Sequence, residues 1–178
     1  MKSKLIALSA ISSALVAIIL TFGAYLQLVD IFAVTLSSVF VTLPLYHKSY
    51  KACILTYLVG GVIAFMISGF NVFSIVFPSY FLYFGIYPIL QNKFMEKGKK
   101  GKILGTILSA IWFIAFAYGI YFYYTAFMGL QINDLPMWIS DNIYYFISVF
   151  ALLFYAIFNR FIYVVNKLSN QLLQRIIK

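Results

Sequence analysis

The ten residues from Lys93 to Lys102, KFMEKGKKGK, decide how this 178-residue chain is read. Apolar runs flank them on both sides, so this basic stretch is a loop between two hydrophobic segments. Working outward, hydrophobic runs fall at 5–28, 31–46, 52–69, 72–91, 103–129 and 139–165. Short cytoplasmic loops are rich in Lys and Arg because basic segments resist translocation. If the segment around Lys97 is cytoplasmic, strict alternation also puts Lys2, Lys4, Lys48, Lys51 and the stretch from Arg160 to Lys178 inside. The other set of turns holds Asp30, Asn71, Asn133, Asp134 and Asp141 and no basic residue. The flipped orientation would put all the positive charge outside. The expectation is an all-α integral membrane protein, a compact bundle of six transmembrane helices with both termini cytoplasmic (N-in/C-in).

Composition agrees, at 64% hydrophobic, 10% charged and a mean hydropathy of +0.98. A soluble domain is nearer half apolar and about a quarter charged. Six spans leave almost no chain for a soluble domain, so residues 1–178 form a single transmembrane domain. The formal charge of +9 does not indicate nucleic-acid binding. The basic residues sit in loops and at helix ends, where they orient the protein against anionic headgroups of the lipid bilayer. The first apolar run is too long for the core of a signal peptide and ends in no clear cleavage site, so it reads as a retained span. Cys53 and His47 are each alone, which rules out an intramolecular disulfide and leaves no metal site to expect.

A helix needs about 20 apolar residues to cross the hydrocarbon core. The first, fifth and sixth runs exceed that, which implies tilt or extension into the interface. Asp30 is placed to cap the second span, and Pro44 lies near that span's end. Pro78 and Pro88 predict bends in the fourth. The segment Gly129 to Ser140, GLQINDLPMWIS, is the sizeable external loop. The tail 166–178 carries Leu168, Leu172, Leu173, Ile176 and Ile177 near one helical face, as an amphipathic end at the cytoplasmic interface would.

Helices in lipid associate through close packing, so small residues four apart mark contact faces. The third run has Ala52, Thr56, Gly60, Ala64 and Ser68 at that spacing. The first carries two adjacent ridges: Ser9, Ser13, Ala17 and Thr21 on one, Ala10 and Ala14 on the other. Such a broad small-residue surface suits internal packing and, with Ala10, Ser13, Ala14 and Ala17, the docking of an outside partner.

The chain contains no HExxH, GxSxG or Walker pattern, and no carboxylate lies deep in an apolar run. Neither an enzyme nor a cofactor is expected. Rings and polar groups gather instead at the external ends. Trp138, Asp141 and Tyr145 are spaced i, i+3, i+7 on the sixth run, with Asn142 beside them. Tyr80, Tyr83 and Tyr87 repeat the spacing on the fourth, near Asn71, and Tyr118 and Tyr121 share a face of the fifth. Stacking rings with a few directed polar groups could make a pocket for a small flat molecule. Asn71, Tyr80, Tyr83, Tyr121, Trp138, Asp141, Asn142 and Tyr145 are the candidate substrate residues. Taken singly, each also fits an interfacial belt or a helix cap.

Several stretches resemble one family: Ala10-Ile11-Ser12-Ser13-Ala14, Leu43-Pro44-Leu45, Leu58-Val59-Gly60-Gly61-Val62 and Ile67-Ser68-Gly69. They are similar to the substrate-binding membrane subunits (S components) of energy-coupling factor (ECF) transporters. The resemblance implies a six-span protein that captures a water-soluble vitamin or similar micronutrient from outside. It also implies that the AxxxA face docks a transmembrane coupling subunit, itself seated on a pair of ABC-type ATPases. Thiamin-type members carry a carboxylate on the fourth helix, where this chain has tyrosines. External acids without external bases favour a neutral or cationic ligand, and the rings a planar one. The competing reading is a small MreD-like scaffold of the cell envelope with no small-molecule substrate. A large outward cavity would separate the two.

Overall fold

The computed structural model describes residues 2–127, Gly129 and 137–176. Asn133, Asp134 and Pro136 of the expected external loop lie outside them, as does Ile177. The described side chains of the tail end at Leu168, the first residue of its expected amphipathic face. Among the described residues the chain is helical, without strands. The helices are α1 (Lys2–Tyr25), α2 (Asp30–Val41), α3 (Tyr50–Ile67), α4 (Val76–Ser79), α5 (Tyr87–Glu96), α6 (Gly98–Phe127), α7 (Met137–Ser140) and α8 (Ile143–Ile176). Two 3-10 turns, Gln27–Val29 and Leu43–His47, flank α2.

Five helical stretches are long and apolar enough to cross a membrane: Ser3–Tyr25, Asp30–His47, Tyr50–Ile67, Gly98–Ala126 and Ile143–Leu168. The fourth expected span, 72–91, is not a single long helix. It is built from α4, a π-helical turn at Tyr80–Phe84, and α5. Pro88 has no N–H to give the Phe84 carbonyl four residues earlier. That carbonyl accepts the Ser38 hydroxyl of α2 instead, at 2.7 Å. In the π turn the Gly85 N–H reaches back to Tyr80, leaving the Phe81 carbonyl to accept the Tyr57 hydroxyl at 2.8 Å. Tyr80 returns a bond to the Tyr57 carbonyl at 3.0 Å. The carbonyls of Phe81 and Phe84, released by the irregular turn, thus find partners, as buried groups must. A Cβ on Gly85 would stand 2.5 Å from the Tyr57 ring, so α3 fits here only against glycine.

The ridge on α3 is wholly internal: Ala52, Thr56, Gly60, Ala64 and Ser68 are all buried. It meets α1, where a Cβ on Gly60 would come within 2.8 Å of Val16 Cβ and 3.1 Å of the Ser13 carbonyl. Ser13 and Ala17 are buried in that seam, whereas Ala10 and Ala14 are exposed on the other side of α1. Its two ridges therefore face in different directions, and only Ala10 and Ala14 are open to an outside partner.

Cross-links mark two ends of the bundle. At one, Tyr25 bonds the Ile67 carbonyl and Tyr123 the Val72 carbonyl. At the other, Thr42 bonds Asn166.

Candidate functional site

Two cavities border α6 and α8. The first lies at the Asp30 end and has a volume of about 390 Å³. Its walls come from α2 (Asp30, Ile31, Val34), α4 and the π turn (Ser79, Phe84), α6 and α8. Phe113, Phe116, Phe150 and Phe154 present the rings, and Tyr124 and Asp30 bring the polar atoms. Asp30 is the first residue of α2 rather than its cap, a position that Val29 takes. Its side chain accepts the N–H of the next residue, Ile31, at 2.6 Å. One oxygen is left for another donor. An apolar cleft with one half-buried carboxylate and several rings suits a flat molecule bearing a hydrogen-bond donor or a positive charge.

The second cavity, about 610 Å³, lies between α5, α6 and α8 at the Lys102 end. Its polar wall is a bonded network. The Tyr87 hydroxyl and the Gln91 amide both donate to Asn159 Oδ1. Ser109 and Tyr155 share a hydrogen bond of 2.7 Å, and Tyr155 also reaches the Thr106 carbonyl.

None of the eight substrate candidates is among the residues that border either cavity. Tyr80 and Tyr83 are fully buried, and the π turn sends them opposite ways. Tyr80 packs on Tyr57 of α3 at 5.3 Å, while Tyr83 stacks with Tyr87 at 5.0 Å and meets Phe113 of α6 at 4.7 Å. The helical spacing that put them on one face does not survive the extra residue in that turn. Tyr83 forms the back wall behind Phe84, Phe113 and Phe116, and its hydroxyl is buried without a partner.

Trp138, Asp141 and Tyr145 do not share a helical face either, because a turn at Asp141–Asn142 separates α7 from α8. Asn142 makes that turn. Its amide donates to the Trp138 carbonyl at 3.1 Å, and its own carbonyl accepts the Tyr145 N–H at 3.0 Å. Such local bonding by Asn competes with a continuing helix. Trp138 and Tyr145 are 62% and 76% exposed, which is belt-like rather than pocket-like. Asn71 closes its own turn by accepting the Phe73 N–H at 3.2 Å. Tyr121 sets its ring edge-on to Tyr144 of α8 at 6.2 Å.

Five phenylalanines and several aliphatic residues line the Asp30-end cavity, types that composition alone assigns to core or lipid. Asp30 carried the readable signal, as an acid beside an apolar run, but its capping role absorbed it. Comparisons with protein-family models, curated proteins and solved structures gave no significant match.

Proposed function

We propose that this chain is a membrane-embedded capture subunit for a small planar molecule, neutral or cationic, of the water-soluble vitamin or micronutrient kind. It would work as the S component of an ECF-type importer. The observation that carries the reading is the ring-lined cavity with Asp30 on its wall. In this reading the bundle crosses the bilayer six times, N-in/C-in in the cell membrane, with the α4–α5 run as the fourth crossing. The segregation of basic residues supports that orientation, and it makes the Asp30 end the external one. Exposed Ala10 and Ala14 on α1 offer the close-packing face for a transmembrane coupling subunit, which would supply the link to a pair of ABC-type ATPases.

Native mass spectrometry of the protein purified from its own host tests the capture step. A small molecule should travel with it, and Asp30→Asn and Phe116→Ala should each lower its affinity by roughly tenfold to a hundredfold. No retained molecule, with no response to either variant, would leave the scaffold reading in front. Replacing Ala10 and Ala14 together with Trp tests the docking step separately. It should block recovery of a coupling subunit while ligand binding persists. Normal assembly by that variant would remove α1 as the docking face.

A further inference from the structure

The cavity at the Lys102 end belongs to neither capture nor docking, yet its chemistry is specific. Its hydrogen-bonding groups are largely occupied with one another, through the Tyr87–Asn159–Gln91 and Ser109–Tyr155–Thr106 contacts. Two cations border the same space, Lys102 and Arg160, and both are exposed. Lys102 stands over the Tyr163 ring at 5.4 Å, and among the described residues no carboxylate pairs with either cation. Beside the two cations, the Gln91 amide oxygen is buried without a partner, so the charge left for a visitor is positive and one acceptor stands unused deeper in the cleft. Leu90, Met95, Leu108 and Trp112 continue the cavity as an apolar wall. A charged rim beside an apolar slot fits an amphiphile with an anionic head, not a compact ion.

We infer that this cleft between α5, α6 and α8 binds an anionic phospholipid, its phosphate held between Lys102 and Arg160 and an acyl chain along Leu108 and Trp112. The phosphate accepts from the guanidinium and the ammonium together, and the chain replaces water against the apolar wall. An exposed basic loop would attract anionic lipid without selecting a place for it. This cleft selects one.

Competition in neutral detergent tests the site, with phosphatidylglycerol and phosphatidylcholine of identical acyl chains added in equal amounts and adducts counted by native mass spectrometry. Phosphatidylglycerol should be retained roughly tenfold over phosphatidylcholine. Lys102→Gln and Arg160→Gln should each reduce that preference by roughly fivefold. Both side chains are exposed, so folding should tolerate either change. Lys99→Gln with Lys100→Gln, which removes two charges from the first turn of α6 where each test variant removes one, should leave it intact. Equal retention of the two lipids overturns the proposal, as does an equal loss in the Lys99/Lys100 variant. A large excess of inorganic phosphate should not displace the lipid. Displacement would make the cleft a site for a soluble phosphate compound and also overturn it.

Discussion

The α1–α3 seam and the α6–α8 seam are both helix contacts within one bundle, yet they are built from opposite materials. In the first, Ser13, Ala17, Gly60 and Ala64 let backbones approach until no space is left. In the second, Tyr83, Phe113, Phe154 and Phe158 fill the contact with rings. Small residues tile a surface without voids, whereas planar side chains hold helices apart and leave gaps at their edges. Both cavities accordingly border α6 and α8, and neither is bordered by α1 or α3. The apolar stretch Asp30–His47 is 39% buried, and the apolar window within Gly98–Ala126 only 11%. The α1–α3 pair is packed closed, and the open space lies along α6 and α8.

The largest effect that would break this contrast comes from the same substitution made in both halves. Gly60→Leu drives a side chain into Val16 and should cost about 3 kcal/mol or more, or prevent folding. Gly119→Leu on α6 meets nothing within 4 Å and should change stability by less than about 0.5 kcal/mol. Thermal unfolding of the purified variants reads both. Equal losses would mean that Gly60 is no more tightly packed than the open face of α6 at Gly119.

The junction between the halves should respond next. Ser38→Ala strips the Phe84 carbonyl of its donor in a buried position, which should cost about 2 kcal/mol. Pro88→Ala restores an N–H that can reach that carbonyl. In the Pro88→Ala background, Ser38→Ala should therefore cost markedly less. A strictly additive double variant would show that Ser38 does not serve the proline break.

The helical class and most helix positions were legible because hydrophobic runs and charged turns differ sharply in composition. The internal ridge of α3 was equally legible, since small residues every fourth position have one good use. The bend at Pro78 and Pro88 was expected, but not the π turn. That turn depends on Ser38 and Tyr57, which lie far away in sequence and supply the bonds making it affordable. It also explains why tyrosine spacing misassigned the faces of Tyr80 and Tyr83. The candidate site was less legible still. Its rings are ordinary phenylalanines brought together from α6, α8 and the π turn, and no local pattern separates them from residues facing lipid.

The smallest expected effect sharpens the same contrast at its outer edge. Trp138 and Asp141 have the residue types of a binding site, and spacing alone would make them its centre. The turn at Asn142 instead leaves the Trp138 ring exposed, edge-on to Phe146 at 5.5 Å, and leaves Asp141 exposed. A ring that stays in contact with water or headgroups on one side has little burial to offer a ligand. Trp138→Ala and Asp141→Ala should therefore shift the affinity for a captured molecule by less than about twofold, within the range of surface substitutions. Phe116→Ala in the cavity wall should exceed both by an order of magnitude. Titration of all three variants with the molecule recovered from the purified protein makes the comparison. A tenfold loss in Trp138→Ala would mean that α7 folds over the bound ligand and that the capture site extends beyond the cavity.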